Sequence, residues 1–282
     1  MHPDGLFCRE VGEGLPIVVV HGGPDFDHCY FLPELDRLAD SFRLVYYDQR
    51  GRGRSVAGVL PEDVTLRSDV EDLDRVRSRF GLESIAVLGH SWGGVVAMEY
   101  AIRHPDRVTR LILLDTGPAA AVDWRRFREE LARSRPADVD AMRAIAATEA
   151  YMRGDLEAEA AYYRIHFRIT IRRPEDLDLL VARLRSNFTE QGVVLARAIE
   201  HRLYEDTSQS ADWDLFPALR GLEVPTLALH GEDDFVPLEF AARIAETVPG
   251  ARLSVLPGCG HFTYLEAPER VFEEVSRFCG AA

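Results

Sequence analysis

The sequence contains no lysine: its 33 basic side chains are all arginine, set against 47 aspartates and glutamates. Without a lysine amine, Schiff-base catalysis and a Ser–Lys dyad are excluded, and so is a Walker-type phosphate loop. Any general base must therefore be His, Asp, Glu, Tyr or Cys. The net charge of −14 disfavours both a nucleic-acid partner and an anionic membrane surface, because each attracts basic proteins.

Cysteines and long apolar runs are also scarce. The 4 cysteines include no CxxC pair and no Cys/His cluster with zinc spacing, so we expect reduced thiols and no metal site. No apolar segment approaches the length of a membrane span, and the first residues lack the basic and apolar regions of a signal peptide. These absences predict a soluble, cytoplasmic protein.

Short apolar runs alternate with helical patterns in the first and last parts of the chain. Each run ends at turn residues, which is typical of a parallel sheet covered on both faces by helices. The predicted strands are Ile17–Val20, Arg43–Tyr47, Ile85–Leu88, Leu111–Leu114, Thr226–Leu229 and Leu253–Leu256. Apolar spacings of three and four predict helices at Leu66–Phe80, Val95–Ile102, Leu238–Val248 and Ala267–Phe278.

The middle of the chain shows helical periodicity alone; Trp124, Phe127 and Leu131, for example, share one face. An all-helical block between alternating strands and helices predicts an α/β fold with a mostly parallel central sheet and an inserted helical cap. We assign residues 1–116 and 223–282 to the core domain and residues 117–222 to the cap.

The segment Gly89 to Gly94, Gly-His-Ser-Trp-Gly-Gly, is the strongest chemical pattern in the sequence. It follows a predicted strand and precedes a predicted helix, which is the context that the G-x-S-x-G pattern requires. Such a sharp turn holds Ser91 in a strained conformation, and Gly89 and Gly93 omit side chains that would collide with neighbouring backbone. Ser91 then lies at a helix N-terminus, where backbone N–H groups favour developing negative charge.

A serine hydroxyl needs a base to take its proton. His261 follows the last predicted strand, and Asp233 and Asp234 follow the strand before it. We choose His261 as the base and Asp234 as the residue that orients it, with Asp233 as the competing neighbour and Asp115 as a weaker alternative. The N–H groups of Gly23 and Trp92 are the expected oxyanion donors.

Five stretches resemble the α/β-hydrolase superfamily, and within it most closely the proline iminopeptidase family. They are His21–Pro24, Asp48–Ser55, Gly89–Gly94, and Gly231–Pro237 followed by Gly258–His261. The resemblance implies a cofactor-free serine aminopeptidase that removes an N-terminal residue, typically proline, from small peptides. The chain departs from the family at Asp25, where glycine is common, and at His90, which precedes Ser91.

The family holds the free amine of its substrate with acidic residues of the cap. Ala198–His201 resembles the family's cap glutamate segment, which implies Glu200 as the amine anchor with Glu205 or Asp206 nearby in sequence. Phe26 and the Trp92 ring are expected to supply apolar walls of the pocket. The expected partner is a small-molecule or short-peptide substrate, and the oligomeric state stays open.

Other functions use the same catalytic residues. Gly-His-Ser-Trp-Gly-Gly also occurs in many carboxylesterases, lactonases and C–C bond hydrolases, so an esterase or lactonase is the main alternative. A ligand-binding protein of the same fold is a non-enzymatic alternative, which the complete set of Ser91, Asp234 and His261 argues against.

Overall fold

A seven-stranded sheet forms the centre of the computed structural model, which describes residues 5–280. The strands are β1 (Cys8–Val11), β2 (Leu15–Val20), β3 (Phe42–Tyr47), β4 (Ile85–His90), β5 (Val108–Leu114), β6 (Thr226–Gly231) and β7 (Arg252–Leu256). Their order is β1-β3-β2-β4-β5-β6-β7, with β1 antiparallel to β3 and the other neighbours parallel. The predicted α/β fold with a mostly parallel sheet is therefore confirmed.

Burial on both faces explains the continuous apolar runs of the parallel strands. In β2, Val18 and Val20 pack into one core cluster, whereas Ile17 and Val19 pack into a second cluster on the opposite face. The six predicted strands are confirmed, with ends that shift by a few residues. The sequence pattern missed β1, a four-residue, half-buried edge strand with Arg9 and Glu10 at its centre.

Helices cover both faces of the sheet and fill the connection between β5 and β6. They are α1 (Leu66–Arg79), α2 (Trp92–Arg103), α3 (Ala121–Ser134), α4 (Pro136–Ala146), α5 (Glu149–Met152), α6 (Leu156–Phe167), α7 (Pro174–Leu184), α8 (Glu190–Asp206), α9 (Phe216–Leu219), α10 (Leu238–Thr247), α11 (Thr263–Glu266) and α12 (Pro268–Cys279). Helices α1, α2 and α10 pack on one face of the sheet, and α12 packs on the other with the 3₁₀ helices His28–Phe31 and Glu34–Asp40.

Helices α3 to α9 lie between β5 and β6, where the described residues form no strand apart from an isolated bridge between Ala120 and Asp214. The segment is helical, as predicted, and we call it the cap. Its division from the core as a domain of residues 117–222 stays a prediction. Within residues 5–280, no helix is both long and apolar enough to cross a membrane.

Candidate active site

Ser91 occupies a strained turn between β4 and α2. Its φ of 55° and ψ of −119° lie in a region that L-residues rarely adopt. A Cβ atom on Gly89 would lie 2.2 Å from the Gly93 carbonyl oxygen, and one on Gly93 would lie 2.1 Å from the Val20 carbonyl oxygen. The two glycines therefore allow the backbone segments around Ser91 to approach as closely as the sequence pattern predicted.

His261 and Asp234 converge on Ser91 from the loops after β7 and β6. The Nε2 atom of His261 lies 3.0 Å from the Ser91 Oγ atom, and its Nδ1 atom lies 2.9 Å from each carboxylate oxygen of Asp234. The Val236 N–H donates to Asp234 Oδ1 over 2.8 Å, which fixes the carboxylate. The competing Asp233 instead lies at the surface, 3.4 Å from Arg172. This is the arrangement that nucleophilic catalysis by serine requires.

Burial controls the charges of these groups. It lowers the pKa of His261 to about 3, so the imidazole is uncharged and free to accept the serine proton. Burial also raises the pKa of Asp234 to about 7, and the charge of His230 and the Val236 N–H oppose that shift.

Asp115, His230 and Asp234 form a compact cluster whose potential ligand atoms lie within 4.8 Å of one another. Asp115 accepts hydrogen bonds from the Gly231 N–H and from both the N–H and the hydroxyl of Thr263. Burial, reinforced by the charge of Asp234, raises the pKa of Asp115 well above its usual range. Since protein N–H and O–H groups surround these carboxylates, the cluster is suited to fixing the loops after β5, β6 and β7 rather than to coordinating a cation.

A hydrogen-bond chain connects the loop after β2 to the Ser91 turn. The Gly22 N–H donates to the Tyr30 hydroxyl over 2.7 Å, and that hydroxyl lies 2.8 Å from His90 Nδ1. His90 Nε2 lies 2.9 Å from the His261 carbonyl oxygen. Since a carbonyl only accepts, Nε2 carries the proton and Nδ1 accepts from Tyr30. The chain holds Gly23, one predicted oxyanion donor, in a loop that borders the same cavity as Ser91.

A cavity of about 180 Å³ opens over Ser91 and His261, and both the sheet loops and the cap contribute to its walls. This volume is below the roughly 300–1,000 Å³ of pockets for drug-sized ligands, which points to a small substrate.

Phe26 lines the cavity as predicted. The Trp92 ring does not; it is buried in the core against Tyr204, so the prediction of an apolar wall from Trp92 was wrong. Its place is taken by other aromatic rings, including Phe127, Tyr162, Phe167, Phe235 and Phe262.

The two cap glutamates predicted to bind substrate lie on different faces of α8. Glu200 borders the cavity; burial and then the charge of Asp25 raise its pKa to about 8, while a hydrogen bond with Tyr204 and the charge of Arg185 oppose the shift. Its side chain is half-buried. Glu205 is exposed and pairs with His201 and Arg202 outside the cavity, so the structure contradicts its predicted role. Five helical residues turn the chain by about 140° relative to Glu200, which accounts for the difference.

Asp25, the second acidic residue in the cavity wall, is neutralised from the cap. The Arg185 guanidinium at the end of α7 contacts the Asp25 carboxylate and lies 3.2 Å from Glu159. The Tyr163 hydroxyl donates to the same Asp25 oxygen over 2.8 Å. Burial lowers the pKa of Arg185, but the surrounding carboxylates outweigh it and the net shift is upward, so the guanidinium stays charged.

Comparisons with known proteins agree with this geometry. A family model described as the alpha/beta hydrolase fold matches residues 16–268. The chain belongs to the α/β-hydrolase fold family. A proline iminopeptidase of Saccharolobus solfataricus is 27% identical over 282 residues, covering 96% of this chain and 86% of its own. Two solved hydrolase structures are similarly related. The proline iminopeptidase of Mycobacterium smegmatis has 26% identity, a TM-score of 0.71 and coverage of 98% and 94%. An esterase of Thermogutta terrifontis has 27% identity, a TM-score of 0.68 and coverage of 98% and 93%.

Two features of this α/β hydrolase were not visible to sequence reasoning. The sequence marks His90 only as a departure from the family pattern, yet its side chain connects three loops of the candidate active site. Arg185 was not singled out, because nothing in a helical sequence pattern indicates that it contacts Asp25, 160 residues earlier. The sequence carries a sign of this contact at Asp25, which follows His-Gly-Gly-Pro where the family commonly has glycine. A carboxylate that is buried there requires a counter-charge.

Proposed function

We propose that this α/β hydrolase is a serine aminopeptidase of the proline iminopeptidase type, acting on small peptides or amides in the cytoplasm. The observation that carries the proposal is the Glu200 carboxyl, which borders the same small cavity as Ser91. The 27% identity to a proline iminopeptidase over 96% of the chain supports the same substrate class. The proposal needs no cofactor, metal or nucleic-acid partner.

In the proposed mechanism, Ser91 attacks the substrate carbonyl while His261 takes the serine proton. Asp234 keeps the imidazole in the required tautomer and stabilises its cation. The N–H groups of Gly23 and Trp92 bind the oxyanion, each contributing about 3 kcal/mol to transition-state stabilisation. His261 then protonates the leaving amine, and water hydrolyses the acyl-enzyme with the roles reversed.

Glu200 is the proposed anchor for the substrate's free amine. With its pKa at about 8, this carboxyl is mostly protonated in the empty cavity at neutral pH. An incoming ammonium group favours the ionised form, so binding releases a proton and forms a buried ion pair. Asp25 is the other carboxylate in the wall, but Arg185 already balances its charge. Glu200 is thus the acidic group available to the substrate.

Comparison of free and blocked amines tests this proposal. Wild-type protein should hydrolyse proline arylamide and fail on its N-acetylated form. Glu200→Gln should lower kcat/KM for proline arylamide by about tenfold or more, since a charged hydrogen bond is lost. Activity on a short-chain nitrophenyl ester should change little. Glu205→Gln, an exposed change on the same helix, is the matched control. Equal hydrolysis of the free and acetylated arylamides would rule out the aminopeptidase assignment.

A carboxylesterase or lactonase is the second candidate function. The mostly aromatic cavity wall favours it, because such a wall suits a neutral acyl group. The relationship to the Thermogutta terrifontis esterase at 27% identity adds support. The nitrophenyl ester in the same experiment distinguishes the candidates: high ester activity with no effect of Glu200→Gln would favour the esterase.

A further inference from the structure

Arg128 on α3 borders the cavity without a counter-ion. Its guanidinium lies 4.1 Å from the centre of the Tyr204 ring and 5.5 Å from that of Trp124. Among residues 5–280, no carboxylate lies within 4 Å of it, unlike Arg185 and Arg197, which both pair with Glu159. A partly buried guanidinium that stacks on aromatic rings in a cavity wall is well placed to bind an anionic group.

Trp124 supplies a second donor on the same helical face. It lies four residues before Arg128, a spacing that places both side chains on one side of α3. Trp124 also borders the cavity, is 7% exposed, and its indole N–H has no acceptor among the described residues. A buried N–H without a partner is unfavourable. The indole nitrogen is itself buried, so a ligand acceptor would reach it only if the ring turned toward the cavity.

We propose that Arg128 and Trp124 form a subsite for the free carboxylate of the substrate, so that the preferred substrates are dipeptides and similarly short peptides. The inference rests on the proposed aminopeptidase function. Glu200 would take the amino end and Arg128 the carboxyl end; both contact Tyr204, and the Arg128 charge acts on Glu200 from beyond ion-pair distance. A small zwitterion is complementary to this pair, and the planar guanidinium can bind a carboxylate through two hydrogen bonds.

Prolylglycine and prolylglycinamide provide the test, because they differ in the terminal carboxylate alone. Wild-type kcat/KM should favour prolylglycine. Arg128→Gln should reduce kcat/KM for prolylglycine by about tenfold to a hundredfold more than kcat/KM for prolylglycinamide, as expected for the loss of a charged hydrogen bond to the carboxylate. Trp124→Phe keeps the ring and removes the N–H, so it should have a smaller effect of the same kind. Arg128→Lys should recover part of the preference.

Arg133→Gln is the matched control, because it removes the same charge from an exposed position on α3. It should leave the preference intact. Equal wild-type activity on the two peptides would overturn the carboxylate subsite, as would an equal loss of both activities in Arg128→Gln. If proline arylamide is hydrolysed but the carboxylate gives no advantage, this inference fails and the aminopeptidase proposal stands. If no proline substrate is hydrolysed, both fail.

Discussion

At the scale of single residues, Gly93 shows how directly the Ser91 turn depends on the absence of a side chain. The positive φ of Ser91 is unfavourable by about 1–3 kcal/mol for a residue with a Cβ atom. The turn persists because α2 begins close against the end of β2, with the Gly93 position facing the carbonyl oxygens of Val20 and His21. Backbone oxygens cannot rotate away as a flexible side chain could.

We therefore expect Gly93→Ala to destabilise the protein strongly. The new Cβ atom would lie 2.1 Å from the Val20 oxygen and 2.7 Å from the His21 oxygen. Relief of this overlap requires backbone movement, and the free energy of unfolding should fall by about 3 kcal/mol. Urea unfolding measures the change directly.

Gly192→Ala serves as its control. A Cβ atom at Gly192, in the first turn of α8, would meet nothing closer than the Thr189 hydroxyl at 3.3 Å. Since alanine favours helix, the free energy of unfolding should change by no more than about 1 kcal/mol. If Gly93→Ala unfolded at the same urea concentration as Gly192→Ala, the close contact between α2 and β2 would be disproved.

The same scale shows where sequence reasoning reached its limit. Strand–turn–helix spacing was sufficient to select Ser91 and His261, because each follows a recognisable apolar strand. The spacing alone could not decide whether Asp233 or Asp234 orients His261, since both lie in one turn. The turn itself decides: the Val236 N–H bonds to Asp234 and directs it toward His261, while Asp233 reaches Arg172 at the surface.

At the scale of elements, Arg185 joins the cap to the loop after β2. It follows the last residue of α7, and its buried guanidinium contacts Asp25 in that loop and Glu159 on α6. It also lies 5.2 Å from the centre of the Phe26 ring and 4.8 Å from that of Phe188. One side chain at the end of α7 thus contacts two other segments, the loop after β2 and α6, that lie far from each other in sequence.

We expect Arg185→Met to lower the free energy of unfolding by about 3–5 kcal/mol, because it leaves buried carboxylates without their counter-charge. Chemical denaturation and limited proteolysis of the cap check this result. The combination Arg185→Met with Asp25→Asn should recover part of the loss, since one unpaired charge is then removed.

Arg164→Met provides a comparison between the same two helices. Arg164 on α6 lies 2.8 Å from Asp178 on α7, but both side chains are well exposed. Exposed ion pairs contribute at most about 1 kcal/mol, so this variant should unfold nearly as the wild type does. Similar losses in Arg164→Met and Arg185→Met would contradict the special role assigned to the buried contact.

At the scale of the whole molecule, the sheet could be predicted from the sequence, whereas the packing of the cap over the cavity could not. Apolar runs such as Ile17–Val20 reflect burial on both faces of the strand, which is a local property that the sequence records. The position of Glu200 over Ser91 depends instead on how α8 packs, so a resemblance was needed to suggest it. The error at Glu205 was avoidable, because five residues on a helix place two side chains about 140° apart.

The absence of lysine also affects how positive charge is placed inside the protein. Buried positive charges in this chain are guanidinium groups, which suit paired contacts. Arg52 donates to the two carboxylate oxygens of Asp69 over 3.0 and 2.7 Å, and both side chains are fully buried. A lysine amine could not make this two-point contact. Arginine therefore supplies the paired positive charges in the interior of a chain whose net charge is −14.

Glu200 connects the proposed function to the stability of the whole protein. Its folded pKa of about 8 is raised above that of an unfolded glutamate, so its contribution is fully favourable at low pH and is lost as pH rises toward 8. Glu200→Gln removes this titration. The variant should therefore match the wild type near pH 4 and become progressively more stable above it, by at most about 1.4 kcal/mol per pH unit up to about pH 8.

Urea unfolding of the wild type and Glu200→Gln across this pH range measures the difference in their free energies of unfolding. Glu205→Gln is the exposed control, and its free energy of unfolding should show no such trend relative to the wild type. A difference that stays constant with pH would mean that Glu200 is already ionised in the folded protein. The carboxyl would then bind an amine without releasing a proton, and the proton-linked anchoring proposed here would be wrong. If the difference in free energy of unfolding grows with pH, the Glu200 carboxyl in the cavity lowers the stability of the folded protein. This cost is expected for a residue that serves to bind a cationic substrate rather than to stabilise the fold.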